Sequence, residues 1–347
     1  MKRFKVQRST LHLTVILVGL VLAAVPGTIA AAATAADLIE GAKKEGKLTW
    51  YTSMNIDDSQ PLVDAFMKKY PFIKAELWRG SSEKVLNKIQ TETRAGQFLF
   101  DVVAVNAFEA GFIKSAGLAQ KYLPPSAAAY KKGFVDPDGY WVDIYDNYYV
   151  LGYNTKLVSK ADAPKDWKDL LSPKWKGKFA MDPEDHAWLM ALQEAWGREK
   201  ANQFGKELVG QNIQWRKGHT LIAQLLTAGE FPLGLVYAHR IEELKKKGAP
   251  VEWVTTTDPI PAEVHPIQIA VKAQNVNAAK LFVEFVASKE GQTMVKGFRR
   301  IPAHPEVPLG WSVDPKELKL YGVGVVDPNR ASQIIKEWRE IFNPTGA

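Results

Sequence analysis

Apolar positions along the chain recur with two periods, and the switches between them mark out elements. "KLTWYT" at 47–52 is a short run of β-formers bounded by polar residues, which predicts a strand. In the next segment Leu62, Val63, Phe66 and Tyr70 share one helical face. Asp58 or Ser59 is placed to cap that helix, Pro61 to sit in its first turn and Pro71 to stop it. "IKAELW" at 73–78 alternates as a second strand, and "SSEKVLNKIQTETRAG" carries Val85, Leu86 and Ile89 on one face of a second helix. "FDVVAVN" at 100–106 is nearly all apolar, as a strand covered on both faces would be. Strands separated by helix-length crossovers imply a parallel sheet flanked by helices, with any ligand beyond the carboxyl ends of the strands.

Farther along, the tyrosine-rich 140–158 reads as one or two strands leading into a turn, and "KFAM" as a short strand. Helices are expected near 186–198, 200–209 and 219–228, and strands in "FPLGLVYA", "VEWVTT" and, after the loop "DPIPAEVHP", in "IQIAVKA". A single helix is expected over 277–297, with Leu281, Phe282, Phe285 and Val286 as its apolar stripe. A return to the first pattern after this middle section suggests two α/β lobes, the second inserted into the first.

The first residues stand apart. Lys2, Arg3, Lys5 and Arg8 precede an apolar run from Leu13 to Val25 and an Ala-rich stretch, the pattern of a secretory signal over 1–36, cleaved between Ala32 and Ala36. The apolar run is too short to span a bilayer. Without that segment, 41 basic residues face 38 acidic ones, a balance that gives no footprint for nucleic acid. The cluster "KKKG" at 245–248 reads as a solvated helix end. There is no cysteine, so neither a disulfide nor a lipid anchor is expected, and the protein is placed in the periplasm as a soluble monomer.

At the predicted strand ends lie Ser53 and Asn55, Arg79 with Ser81 and Ser82 in "WRGSSEK", and Asn106 with Glu109. A helix start bearing hydroxyls and an arginine is a turn in any reading, and its free amides also suit an anion. Asp182 follows "KFAM" beside Glu184, Asp185 and His186, in a spacing that fits no standard metal pattern. His219 and Thr220 open another helix.

Five stretches, taken in order, resemble one family: "KLTWYTS", "RGSSEKVLNKIQTETRAGQFLFDVVAVN", "YNTKLVSKADAPKDWKDLLSPKWKGKFAMD", "TAGEFPLGLVYAHRIEELKKKGAPVEW" and "NAAKLFVEFVASKEGQ". They resemble the periplasmic solute-binding proteins of ABC importers, in the branch that includes ferric-ion-binding proteins. The resemblance implies a type II two-lobed fold, each lobe a mixed sheet flanked by helices, with the ligand cleft at the hinge. It sets lobe 1 at 37–145 and 259–304, lobe 2 at 146–258, and a C-terminal segment, 305–347, packing on lobe 2. It also implies an inner-membrane permease as partner. Tyr148, Tyr149 and Tyr153 lie where relatives cross between lobes, and Tyr148 is taken as a ligand contact. Tyr237 aligns with the place where ferric-binding relatives carry adjacent tyrosines, but Ala238 follows it, and "YTSMN" lacks their first-loop histidine.

Hydroxyls, amides and Arg79 therefore point to an oxyanion or polar organic solute such as a phosphate ester, phosphonate or carboxylate. Ferric ion, held by Tyr237, Tyr148 and His239, is the alternative cargo, and no resident cofactor is expected. A secreted hydrolase or lyase on the same scaffold is the rival class. Gly-x-Ser-x-Gly, His-Glu-x-x-His and P-loop motifs are all missing from the sequence.

Overall fold

The computed structural model describes residues 35–311 and 313–343. The stretch expected to be an export signal, 1–36, lies outside the described residues apart from Ala35 and Ala36, which open the first helix. The strands are β1 (Lys47–Thr52), β2 (Lys74–Arg79), β3 (Val102–Ala104), β4 (Ala119–Gln120), β5 (Val142–Asn154), β6 (Phe179–Met181), β7 (Gln214–Trp215), β8 (Leu233–Tyr237), β9 (Val251–Trp253), β10 (Ile260–Ala270), β11 (Ile301–Pro302) and β12 (Leu320–Val323). The helices are α1 (Ala35–Glu45), α2 (Ile56–Lys69), α3 (Ser82–Arg94), α4 (Ala107–Ser115), α5 (His186–Trp196), α6 (Arg198–Val209), α7 (His219–Ala228), α8 (Ala238–Lys246), α9 (Val276–Ala287), α10 (Lys289–Gly297) and α11 (Pro328–Phe342).

The strands join in the order β2-β1-β3-β10-β5-β8-β6-β7. β5 is the link. Its residues up to Tyr148 pair with β10, whereas Tyr149 to Tyr153 pair with β8. Each half of the sheet has its own core. Beneath β1 and β3, Trp50 and Phe66 each lie 5.0 Å from Phe282, centroid to centroid. On the other half, Trp167 meets Trp188 at 5.5 Å, and α11 closes the core with Trp338 against Phe342 at 4.3 Å. That C-terminal helix packs on α5 and α6, with a lesser contact to α4.

Several boundaries differ from expectation, each for a local reason. α2 starts a turn earlier than Asp58 or Ser59, at the N-cap Asn55, whose carbonyl accepts from the amides of Asp58 and Ser59 at 3.0 and 2.9 Å. Asp58 cannot cap because its carboxylate turns inward to Arg240 and Arg300, at 3.1 and 2.8 Å. Pro61 consequently falls inside the helix. The helix expected over 277–297 breaks at Ser288, which adopts an extended backbone and caps α10 by accepting from Gly291 N. The supposed loop before "IQIAVKA" is strand: β10 includes Pro261 and Pro266, the latter at a register shift where a missing N–H is tolerated.

Candidate functional site

In the first half-sheet Thr52 is in register with both Arg79 and Ala104. β1, β2 and β3 therefore end level, and Ser53, Ser81, Ser82 and Asn106 emerge at one edge. In the second half, Ala180 pairs with both Gln214 and Gly234, so Asp182, the segment after β7 and Tyr237 emerge at the facing edge. Between the edges lies a cavity of about 390 Å³. Six helices start on its wall. The N-caps of α2, α3, α4, α5, α7 and α8 are Asn55, Ser81, Asn106, Asp185, Gly218 and Tyr237, and all six line the cavity. Only Ser81 among them caps with its side chain, while carboxylates hold two of the other starts, Glu263 at the Ala107 amide and Asp182 at the Gly218 amide.

The serines divide their labour. Ser82 Oγ donates to Ser53 Oγ at 2.9 Å and accepts from Asn106 N at 3.1 Å, so its proton is taken while that of Ser53 is free. Ser81 Oγ accepts from Lys84 N at 3.3 Å, which leaves its proton free as well. Arg79, at the rim, reaches the Ser53 carbonyl at 3.5 Å.

On the facing edge Asp182 accepts from Glu184 N at 2.8 Å and from Gly218 N, which commits both of its oxygens to backbone. Gly218 has φ +102, a conformation that suits glycine and aims its N–H at that carboxylate. His219 Nδ1 faces the Leu235 carbonyl at 3.3 Å and Nε2 faces Asp185 Oδ1 at 2.9 Å. Burial opposes a charge on His219, but Asp185, together with Asp182 and the Leu235 carbonyl, outweighs it and raises the histidine pKa. The ring is thus held as a wall of the cavity, 3.8 Å from the Tyr237 ring, and Thr220 lines the cavity beside it.

Strand alternation selects among the tyrosines. Tyr145, Asn147 and Tyr149 of β5 line the cavity. Tyr148 does not: it points to the opposite face, where its ring meets Trp311 at 6.2 Å. The expectation that Tyr148 contacts ligand is therefore corrected, and Tyr153 likewise packs into the core. The set Tyr237, Tyr148 and His239 is not brought together, because Tyr148 stands on the far side of the sheet. Instead Tyr149 donates to Glu263 at 2.7 Å, and its hydroxyl lies 3.4 Å from that of Tyr237. Burial first, and Glu263 second, push both phenols well above their ordinary pKa.

Charge is sorted along the cavity. Arg79, Arg240 and Arg300 gather at one part, where burial and the other two guanidinia lower the pKa of Arg79. Acids gather at another. Burial, then Glu263, raise Glu109 to about 8, and burial raises Glu263 to about 7. Burial and the neighbouring Glu83 raise Glu184 to about 7. Lys217 Nζ ties Glu184 at 2.5 Å to Glu83 on α3 at 3.1 Å, across the cavity mouth. No group of three or more His, Asp or Glu placed to hold a metal occurs among the described residues.

Residues 61–320 match the family described as bacterial extracellular solute-binding protein. The chain belongs to that family. Among its relatives is the major ferric iron-binding protein of Neisseria gonorrhoeae, 25% identical over 281 residues, which are 77% of this chain and 84% of the relative. Another is an uncharacterised protein of Haemophilus influenzae, 28% identical over 267 residues, or 73% and 76% of the two chains. Solved structures with the same fold include AfuA of Actinobacillus pleuropneumoniae with exogenous fructose-6-phosphate bound, at TM-score 0.78 and 24% identity over 86% of this chain and 99% of that one. Iron-bound HitA of Pseudomonas aeruginosa matches at TM-score 0.76 and 21% identity, covering 85% and 99%. The two half-sheets accordingly correspond to the two lobes of the periplasmic-binding-protein fold.

In this solute-binding protein every candidate site residue singled out from sequence lines the cavity except Tyr148 and Tyr153. Sequence reasoning missed Tyr145, Asn147, Lys217, Glu263, His265 and Arg300. The first two follow from Tyr149 by alternation along β5. Glu263 and His265 alternate along β10 in the same way, a signal hidden by reading that stretch as loop.

Proposed function

We propose that the solute is a small organic oxyanion, best represented by a phosphate monoester, captured in the periplasm by closure of the two lobes and handed to an inner-membrane permease. The observation that carries this is the convergence of six helix N-termini with Arg79, Arg240 and Arg300 on one cavity. Free hydroxyl protons on Ser53 and Ser81 suit the same anion. The acids at the other part of the cavity suit hydroxyls or an amine on the organic moiety. Lobes at 37–145 with 259–304 and at 146–258 with the C-terminal segment fit the partner change along β5 near Tyr148, and the chain acts as a monomer exported by its N-terminal signal.

A ferric cargo is the second reading, favoured by the Tyr149–Tyr237 hydroxyl pair and by the Neisseria relative. Against it stands the neighbourhood of three guanidinia, which disfavours a trivalent cation. The fold accommodates both kinds of cargo in its neighbours, so the residues of this cavity decide. Capture without turnover follows the relatives, which are binding proteins. A thermal-shift series with fructose 6-phosphate, methyl phosphate and ferric citrate tests the proposal. A ligand at 100 times its Kd adds about 2.7 kcal/mol of stability. Stabilisation by a phosphate monoester is expected; a shift with ferric citrate alone, with colour in the visible, would replace this reading with the second.

A further inference from the structure

The histidines of the cavity wall carry information about the solute beyond its negative charge. His265, on β10, is 1% exposed, and its ring stacks on Tyr145 with centroids 4.2 Å apart and planes 13° from parallel. Its backbone amide is tied to Asp143 Oδ1 at 2.6 Å, so neither ring nor backbone is free to turn. Nδ1 lies 3.0 Å from Asn106 Oδ1, while Asn106 Nδ2 donates to the Tyr237 hydroxyl at 3.4 Å. The Tyr149 proton goes to Glu263 and that of Tyr237 to Tyr149. The Asn106 amide therefore turns its Nδ2 to Tyr237 and its Oδ1 to His265, whose Nδ1 then carries the proton. Burial, with the charge of Arg300, keeps the ring neutral. Nε2 is then a bare lone pair. It is buried, it has no partner in the protein, and the residue lines the cavity.

We propose that the solute presents a hydrogen-bond donor, a hydroxyl or an ammonium group, to His265 Nε2, and that this chain thereby selects phosphate monoesters carrying such a donor over those without one. An acceptor left unpaired in a buried site is costly, so an ester lacking the donor is penalised when the cavity closes around it. His239 reinforces the demand. It is 1% exposed, and neither of its ring nitrogens has a partner. Burial and the charges of Arg300 and Arg240 keep it neutral, so it offers one further donor and one further acceptor to the same guest.

This inference rests on the oxyanion reading, and two measurements separate their fates. Calorimetric titration compares fructose 6-phosphate and O-phosphoethanolamine with methyl phosphate, whose only donors are those of its phosphate. At least one donor-bearing ester is expected to bind roughly tenfold or more tighter than methyl phosphate, with the advantage abolished in His265→Phe. Equal affinities would overturn the inference and leave the oxyanion reading standing; no binding by any of the three would overturn both. The second measurement needs neither ligand nor variant. In the wild-type protein, ¹⁵N shifts of the His265 ring should report a neutral Nδ1–H tautomer, and an Nε2–H tautomer would overturn the inference directly.

Discussion

Ser53, Ser81 and Ser82 carry three hydroxyls at one strand edge but only two free protons, and this decides which of them can donate to an anion. Ser81→Ala should weaken phosphate-monoester binding and also cost about 1 kcal/mol of stability as a lost N-cap. Ser82→Ala should act through Ser53 and Asn106, which it positions, and a double-mutant cycle with Ser53→Ala measured by calorimetry should reveal coupling. Among the tyrosines, Tyr149→Phe removes the hydroxyl lying between Glu263 and Tyr237 and should change solute affinity, whereas Tyr148→Phe should leave it within twofold. The residue types of this site were largely legible, because strand ends and helix starts advertise themselves. Which of two adjacent tyrosines faces the cavity was not, since that depends on where β5 changes partners.

Protonation belongs to the same scale. Glu109 has its folded pKa raised from 4.5 to about 8. A carboxyl raised in this way holds its proton more tightly in the folded protein than in the unfolded chain, so stability falls with pH between the two pKa values. Its contribution is present at low pH and is lost as pH rises through about 8. The ligand-free protein should therefore lose stability on moving from acid to mildly alkaline buffer, and Glu109→Gln should flatten that slope in urea titrations run across the range.

At the scale of elements, α2, α8 and the segment before β11 are pinned together by Asp58, Arg240 and Arg300, each no more than 5% exposed. Arg240 also reaches Glu243 at 2.8 Å, but Arg300 depends on Asp58. Asp58→Ala would leave a buried guanidinium without its partner and should destabilise the protein by about 3–5 kcal/mol in denaturant unfolding. This triad also explains an error in the sequence reading. Asp58 looked like a helix cap because Asp near a helix start usually is one, and nothing local announces partners 182 and 242 residues away. Periodicity located most helices and strands to within a few residues. It failed where a proline-bearing segment became strand in β10 and where Ser288 interrupted an unbroken apolar stripe. It also passed over α11, although Asp327 and Pro328 make a clear start signal and Ile334, Trp338 and Ile341 follow at helical spacing.

For the whole molecule, two α/β halves share β5 and face each other across a cavity whose wall is built from helix starts, guanidinia and neutral imidazoles. Binding of a phosphate monoester in the proposed mode puts its anionic group at the arginine and serine part of that cavity and extends the organic moiety toward Glu109 and Glu184. A crystal structure of the mature protein with a bound phosphate monoester tests this most directly. The phosphate is expected within hydrogen-bonding distance of the Ser81 hydroxyl and the first amides of α3, with the Arg79 guanidinium turned toward it. A phosphate beside Glu184 and Asp182, or a metal ion between Tyr149 and Tyr237 in place of any ester, would contradict it.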